Sequence, residues 1–507
     1  MKKPSSDIHQ LIMSMSKAEK GYFRRHSSID TKGSNTSYNL LYDAIHSQKI
    51  YDEKKLIAQF KDRPFVRQFP VAKSYLYYRI LTSLDSYHDS GYETMRSYLH
   101  HIEILFDKGL YSHSLKLVKK AKKEAFKIDM LFYLPEILQW EREIASQAHD
   151  YDWMQRTNVE FRHVLHLLEN IQTFHELSVI AGGFIWKYGE EKKAGYFNKV
   201  KKLMRHPVLR RESNALSFSA QLSYCYMYAY FYYLQENYAK ANDFYQKEFD
   251  LYRQNPDKIK YHFRSYIACT NNLLAACYKS KNYAAFKEPL ETLKKALASE
   301  KNEHFRARLF FAYTNYSLDH ILLAGEFNKA EKIIQETLRD FAKYENKLSQ
   351  NEKTIIYSNV AVIWFGNEEF KKCIYYLNKI RNEFTLHIHP DVERFLNLFY
   401  LVVHYELGHY DLLPRLSSSV YRLLEKQERT SKFEKIVLVF FAAKSMQNDS
   451  RKEQLKAFSQ LKRELLPLTS DQEEKQSFQF FDYIMWINSK LENKTFAEII
   501  KDRVNKK

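Results

Sequence analysis

The chain has 507 residues, a formal charge of +18 at pH 7, and only 11 glycines and 10 prolines. An average chain of this length contains roughly 35 glycines, so the composition argues against folds whose tight turns and phosphate-binding loops depend on that residue. It favours an all-α fold with long helices, and the positive charge favours anionic partners without specifying a fold.

Residues 1–95 are predicted to form a small helical N-terminal domain. A capping box from Ser16 to Glu19 indicates one helix start, and Asp52 is placed to cap another. Two prolines between residues 61 and 70 predict a break before the last helix of this group. The arrangement fits a helix-turn-helix variant that binds DNA, and it also fits a cap that covers the first of the hairpins that follow.

Residues 96–507 are predicted to form a second domain of stacked helical hairpins. The aromatic residue that opens the second helix of each hairpin recurs at intervals of 45, 44, 43 and 40 residues between Tyr238 and Tyr410. Two longer gaps each predict one degenerate hairpin, near Gly189 and near Asn448, which gives about ten hairpins. The helix-opening aromatic residues are Tyr111, Tyr151, Tyr238, Tyr283, Phe327, Phe370, Tyr410 and Phe496.

The stretch from Leu318 to Leu338 shows this design most clearly. An apolar helix ends at Gly325, and a second helix opens at Phe327 with Ala330 on its apolar face. A glycine at the end of a helix can adopt the left-handed conformation that terminates it. Glycines stand at the same place ahead of three other aromatic residues, at positions 109, 366 and 408.

Several of these stretches resemble the tetratricopeptide repeat. Residues 232–245 and 324–330 are similar to the centre of that repeat, and residues 270–278 and 357–361 are similar to its first helix. The resemblance implies a right-handed superhelical α–α solenoid, and it is strongest over residues 217–415. The period here exceeds the family's 34 residues and the terminal proline is mostly absent, so the helices are expected to be longer.

The resemblance also implies a binding site, because tetratricopeptide solenoids commonly bind a protein or peptide on the concave face lined by their first helices. An amide side chain can pair with an extended peptide backbone, and tyrosine supplies contact area with a polar tip. Asn272 and Asn359 can equally pair with a neighbouring repeat. The residues placed on this face are Tyr226, Tyr230, Tyr233, Asn271, Asn272, Tyr278, Asn315, Asp319, Ser358, Asn359 and Phe365.

Enzymatic activity is not expected, because the chain lacks a phosphate-binding glycine loop, a nucleophile elbow and an HExxH motif. We therefore assign no catalytic residue, cofactor or metal. The histidine pairs His163/His166 and His387/His389 favour packing or surface placement over metal binding, since a single pair does not complete a site.

The cysteines and the apolar runs bear on location. Four cysteines without a CxxC pair favour buried thiols in a reducing compartment. The N-terminus lacks the apolar run of a secretory signal, and no apolar run reaches the roughly 18 residues of a membrane span. We expect a cytoplasmic protein with no membrane partner.

Two functional hypotheses follow from the sequence. The first is a non-enzymatic scaffold or regulator that binds a protein or peptide in the groove of the solenoid. The alternative is a nucleic-acid-associated regulator that uses residues 1–95 or the basic helix faces over residues 116–127 and 199–211. Neither the identity of the partner nor the oligomeric state follows from the sequence.

Overall fold

The protein is described from a computed structural model that covers residues 5–29, 35–87, 91–188, 193–280, 282, 284–327, 330–383, 390–425, 430–443, 450–471, 474–478 and 480–505. These residues contain twenty-five α-helices and no β-strand. The prediction of an all-α chain is confirmed.

The first thirteen helices lie between residues 7 and 259. They are α1 Asp7–Ser14, α2 Lys17–Ile29, α3 Asn35–Ser47, α4 Glu53–Gln59, α5 Phe69–Tyr87, α6 Gly91–Asp107, α7 Tyr111–Lys127, α8 Leu134–Gln147, α9 Tyr151–Tyr188, α10 Lys193–Leu203, α11 Phe218–Leu234, α12 Tyr238–Gln254 and α13 Pro256–Ile259.

The remaining twelve helices lie between residues 263 and 505. They are α14 Phe263–Ser280, α15 Lys287–Ser299, α16 Glu303–Ala324, α17 Ala330–Tyr344, α18 Gln350–Gly366, α19 Phe370–Glu383, α20 Pro390–Glu406, α21 Leu413–Glu425, α22 Lys432–Ala442, α23 Arg451–Leu465, α24 Tyr483–Glu492 and α25 Phe496–Asn505.

Helices that follow one another in the chain pack together, as α6 does with α7, α18 with α19, and α24 with α25. Helices two apart also pack, as α16 does with α18. This pattern of contacts between near neighbours is typical of stacked helical hairpins. The right-handed superhelix and the tetratricopeptide arrangement stay predictions.

Residue contacts divide the chain into two compact units, each assembled from three segments. Unit 1 comprises Met1–Glu176, Arg211–Gln221 and Gln254–Phe263, and unit 2 comprises Leu177–Arg210, Leu222–Arg253 and Arg264–Lys507. The domain boundary placed between residues 95 and 96 stays a prediction.

Within unit 1, helices α1 to α5 enclose a small core of their own, in which Phe23, Tyr42 and Leu76 are fully buried. The predicted capping box is present, since the amide of Ser16 donates to the carboxylate of Glu19 at 2.6 Å and the amide of Glu19 donates to the Ser16 hydroxyl at 3.2 Å. The sequence did not predict α1, which contributes two isoleucines to this core.

The predicted interruption before α5 is shorter than expected. Asp52 caps α4 by accepting a hydrogen bond from the amide of Lys55 at 3.1 Å, as predicted. Residues Pro64–Gln68 then form a 3-10 helix, and α5 begins at Phe69, so Pro70 lies inside its first turn. Proline is tolerated there because the first-turn amides have no partner within the helix.

Most of the predicted helix-opening aromatic residues lie at or near the start of a helix. Tyr111, Tyr151, Tyr238, Phe370 and Phe496 are the first residues of α7, α9, α12, α19 and α25, which confirms those five. Helices α17 and α21 begin three residues after their predicted aromatic residues. The opening at Tyr283 and both degenerate turns, near Gly189 and near Asn448, lie outside the described residues.

Three of the four predicted turn glycines adopt the left-handed conformation, with φ of 72° at Gly109, 68° at Gly325 and 74° at Gly408. Gly366 differs, because it remains in α18 and Glu368 takes the left-handed conformation instead. The side chain that glycine lacks explains the choice of residue: a Cβ at position 366 would lie 2.7 Å from Cγ of Phe327.

The last two helices of unit 2 return to the ends of earlier helices. Helix α25 packs on α16, and a Cβ at Gly325 would lie only 3.1 Å from Ile500. The ring of Phe496 is 6.1 Å from that of Phe327 and 5.6 Å from that of Phe365. These rings belong to one buried core that extends from residue 310 to residue 500.

Replacing Gly366 by alanine is therefore expected to destabilise the protein. The added Cβ overlaps the ring of Phe327, and overpacking of this kind costs about 1–3 kcal/mol. The conformational gain from removing a glycine is smaller, about 0.4–1 kcal/mol. We expect a lower midpoint in urea unfolding followed by circular dichroism.

A matched control is Gly183→Ala in α9, where a new Cβ would meet no atom within 4 Å. This variant is expected to be neutral or slightly more stable. An unfolding midpoint for Gly366→Ala equal to or above that of Gly183→Ala would contradict the packing described for Phe327.

Candidate binding face of the first helices

Eight of the eleven residues predicted for the binding face are half-buried, so each keeps part of its surface exposed. They lie on α11, α14, α16 and α18, all in unit 2. We call these eight residues the tyrosine–amide face. They are Tyr226, Tyr233, Asn271, Asn272, Tyr278, Asn315, Asp319 and Asn359.

The best-defined part of this face is a hydrogen-bond network between α16 and α18. Nδ2 of Asn315 donates to Oδ2 of Asp319 at 3.1 Å, one turn away on the same helix. Nδ2 of Asn359 donates to Oδ1 of Asn315 at 3.1 Å and to Oδ1 of Asp319 at 3.3 Å. Each oxygen of the Asp319 carboxylate therefore accepts one amide hydrogen bond, and the carboxylate is held in a fixed orientation.

Burial raises the pKa of Asp319 from 3.8 to about 7. Two influences oppose the shift: the positive charge of Lys279 on α14 and the hydrogen bond from Asn315. Burial dominates because the hydration energy that the carboxylate loses exceeds the stabilisation that the neutral amides and one lysine provide. At neutral pH this side chain is consequently divided between its charged and neutral forms.

A second polar link joins α16 to α14. The hydroxyl of Tyr316 donates to the backbone carbonyl of Asn271 at 3.2 Å. Burial is the main reason that the pKa of Tyr316 lies above its usual range, and the negative charges of Asp319 and Tyr233 add to the effect. Tyr316 is thus close to charged or ionisable groups from both α11 and α16.

The tyrosines of α11 contact one another and the first residue of α12. The rings of Tyr226 and Tyr230 are 5.7 Å apart and nearly parallel, at 8°. The ring of Tyr233 meets that of Tyr238 edge-on at 5.4 Å. The hydroxyl of Tyr226 also approaches α9, since a Cβ at Gly182 would lie 3.4 Å from it.

Three of the predicted residues lie in the core and do not belong to the face. Tyr230 and Ser358 are buried, and the Ser358 hydroxyl donates to the backbone carbonyl of Thr354 at 2.7 Å. Phe365 is 2% exposed, with its ring 5.2 Å from that of Phe481. The returning C-terminal helices cover Phe365, and this long-range contact has no local signal in the sequence.

The two asparagines for which the sequence left alternatives open now differ. Asn359 pairs with Asn315 and Asp319 on the neighbouring helix, which is the structural alternative. Asn272 stays half-buried on α14, so its amide keeps surface that a partner can contact.

Sequence reasoning missed Lys279 and Tyr316, which complete the surroundings of Asp319. A signal for Tyr316 was available in the repeat spacing. The bond from Tyr316 to Asn271 spans 45 residues and the bond from Asn359 to Asn315 spans 44, which matches the hairpin period. Positions one period apart were therefore candidates for contact.

A separate cavity of about 400 Å³ opens between the second helices α17 and α19. Its floor includes Trp364, whose ring lies 4.1 Å from the ammonium of Lys372. Nε1 of Trp364 is buried without a hydrogen-bond partner among the described residues. Tyr375 stands at the cavity with 60% of its surface exposed. No sequence motif predicted this cavity.

The histidine pairs and the cysteines are not among the residues of the tyrosine–amide face. His163 and His166 are exposed on α9, and His387 and His389 lie outside the described residues. All four cysteines are buried thiols. In the described part of the chain, no group of three or more histidine, cysteine, aspartate or glutamate residues could hold a metal ion. Among the same residues, no helix is both long and apolar enough to cross a membrane.

The basic run of α7 is exposed along one helix. Lys116, Lys119, Lys120 and Lys123 all face solvent. Lys122 instead points to two carboxylates, that of Glu141 at 2.7 Å and that of Glu160 at 2.9 Å. Four lysines of this helix remain available to an anionic partner.

Comparison with known proteins finds no match: no family model, no curated protein and no solved structure is similar to this chain. The resemblance to the tetratricopeptide repeat therefore stays a prediction from the sequence.

The raised pKa of Asp319 predicts a pH-dependent stability. Because the folded protein holds this proton more tightly than the unfolded chain does, the stability that it contributes is lost as the pH rises from 3.8 towards 7. The side chain at position 319 of the variant Asp319→Asn does not titrate. The free energy of unfolding of the variant should therefore increase relative to that of the wild type as the pH rises over this range. The gain should reach up to about 1.4 kcal/mol for each pH unit.

The measurement is urea unfolding of both proteins at pH 5, 6, 7 and 8. Asp340→Asn is a suitable control, since Asp340 lies on α17 beside Lys343 at 2.7 Å and its side chain is more than a third exposed. A difference between the wild type and Asp319→Asn that stays constant with pH would show that Asp319 has an ordinary pKa.

Proposed function

We propose that this chain is a non-enzymatic scaffold or regulator that binds a protein or peptide segment on the tyrosine–amide face. The observation that carries the proposal is the set of half-buried polar side chains on α11, α14, α16 and α18, of which α14, α16 and α18 are joined by hydrogen bonds. Asparagine amides and tyrosine hydroxyls both donate and accept hydrogen bonds, as the backbone of an extended segment requires.

The covered residues limit where such a segment binds. Phe365 lies beneath Phe481 and Phe496, so this end of the first-helix surface is filled by the chain's own aromatic rings. The surface that remains runs from Tyr226 on α11 to Asn359 on α18. We place the partner segment there.

A cytoplasmic location is part of the same proposal. The support is the set of four buried cysteine thiols, since thiols persist in reducing compartments.

The double variant Tyr233→Ala, Asn272→Ala is expected to lose partner capture. Both side chains are half-buried on the face. Truncating them removes the contact area of a tyrosine and the side-chain amide of Asn272, which can bond to a partner's backbone, while the core changes little. The measurement is affinity capture from the native cell extract with nuclease present, with quantitative mass spectrometry. A specific partner should fall at least tenfold with the variant.

The matched control is Tyr375→Ala, which removes a tyrosine that is 60% exposed on α19, away from the face. Partner recovery with this control should equal that of the wild type. Equal recovery with the double variant as well would place the binding surface elsewhere and refute the proposal.

A second candidate function has one observation in its favour, the four exposed lysines of α7. A partner that contacts phosphates through these lysines would bind nucleic acid with a steep salt dependence, because each neutralised phosphate releases counterions. Replacing Lys116, Lys119, Lys120 and Lys123 by glutamine should then abolish binding to a short DNA or RNA duplex at low salt.

The measurement is fluorescence anisotropy of labelled DNA and RNA between 50 and 200 mM salt, a range over which six to ten phosphate contacts lose about 10³–10⁵ in affinity. Wild-type protein that binds neither duplex at the lowest salt would exclude this function.

A further inference from the structure

We propose that the tyrosine–amide face recognises a basic side chain of its partner, arginine in preference to lysine, at the carboxylate of Asp319. This inference rests on the proposed function and specifies the chemistry of the ligand. It is carried by the unused bonding capacity of the carboxylate, by the hydrogen bonds that fix its orientation, and by Tyr316 beside it.

The carboxylate has acceptor capacity to spare. A carboxylate offers about four lone-pair sites, and here each oxygen accepts a single hydrogen bond from a protein amide, Asn315 on Oδ2 and Asn359 on Oδ1. One acceptor site on each oxygen remains. Arginine supplies two parallel N–H groups in a rigid fork that matches this geometry, whereas lysine supplies a point charge.

The carboxylate is also prepared for a ligand before it binds. Asn359 donates to both Asn315 and Asp319, so neither amide can rotate without breaking the bonds that orient the acid. Because these side chains are already ordered in the free protein, binding a ligand does not incur the entropic cost of ordering them. Asp319 is half-buried, and the positive charge that acts on it comes from Lys279.

A tyrosine lies close to this acid. The charge of Asp319 contributes to the raised pKa of Tyr316, and Tyr233 on α11 contributes to the same shift. A guanidinium group stacks on aromatic faces and is weakly hydrated, so it gains more than an ammonium from such a site. Tyr316 beside this carboxylate therefore adds to the preference for arginine.

The charges around Asp319 determine the pH dependence. The groups that act on Asp319 are Lys279 from α14, Tyr316 and Asn315 from α16, and Asn359 from α18. Tyr233 from α11 acts on Tyr316. Only Lys279 carries a positive charge at neutral pH, and its effect leaves the pKa of Asp319 raised to about 7. A bound cation favours the charged acid, so binding should strengthen as the pH rises through 7.

The test is selection of binders from a display library of random twelve-residue peptides, with the full-length chain as bait. Wild-type protein should enrich arginine at one position of the selected motif, and Asp319→Asn should lose that enrichment. The control is Glu336→Gln, an exposed acid on the second helix α17, which should select the same motif as the wild type.

The outcomes separate the two proposals. If the wild type selects no peptide, the proposed peptide-binding function fails. If it selects peptides without a basic residue, or if Asp319→Asn selects the same basic motif, peptide binding stands and this inference is overturned. Equal enrichment of lysine and arginine would overturn the assignment of a bidentate contact between a guanidinium group and the Asp319 carboxylate.

A selected peptide without histidine then gives two quantitative readouts by calorimetry. Its affinity for the wild type should increase about tenfold from pH 6 to pH 8, because the charged fraction of a group with a pKa near 7 rises by that factor. Asp319→Asn should show no such increase.

Discussion

The packing of aromatic rings at the ends of the first helices is the constraint on which the C-terminal half of unit 2 depends. The ring of Phe327 occupies the space that Gly366 leaves free, and it lies 6.1 Å from Phe496. Phe365, one residue before that glycine, meets Phe481 and Phe496 at 5.2 and 5.6 Å. A stacked array of hairpins leaves the first-helix surface uncovered along its length. Here the last helices bury part of that surface, and the exposed part that remains is the polar part.

This division explains why the polar residues of the first helices serve two purposes. Asn359 links α18 to α16, and the hydroxyl of Tyr316 links α16 to α14. Such bonds satisfy buried polar groups that would otherwise cost stability. They also fix the positions of the neighbouring side chains that remain half exposed, Asp319 among them. A surface held by bonds between successive helices presents its donors and acceptors in a fixed arrangement, which lowers the entropic cost of binding a flexible segment.

The sequence predicted the helical character and many helix starts well, and the long-range contacts poorly. Scarce glycine, an aromatic residue at each second-helix start and a period near 44 residues are local or periodic signals, and five helices begin at the residues that those signals indicated. The contact of Phe365 with Phe496 joins positions more than a hundred residues apart, and nothing near either residue encodes it. The same limit applies to the site. Half-exposed Asp319 and Asn272 follow from helix periodicity, whereas the choice of partner by Asn359 depends on the distance between two helices.

The charge at the candidate site is opposite in sign to the net charge of the whole chain. A formal charge of +18 favours anionic partners at long range, and the exposed lysines of α7 share that sign. At short range the determining group on the tyrosine–amide face is one acid whose burial raises its pKa to about 7. Long-range attraction falls off within a Debye length of about 8 Å at physiological salt, whereas a half-buried carboxylate retains its preference for a cation because little solvent screens it. Under the proposed function, net charge therefore governs how partners approach the protein, and the local environment of Asp319 governs which side chain the face accepts.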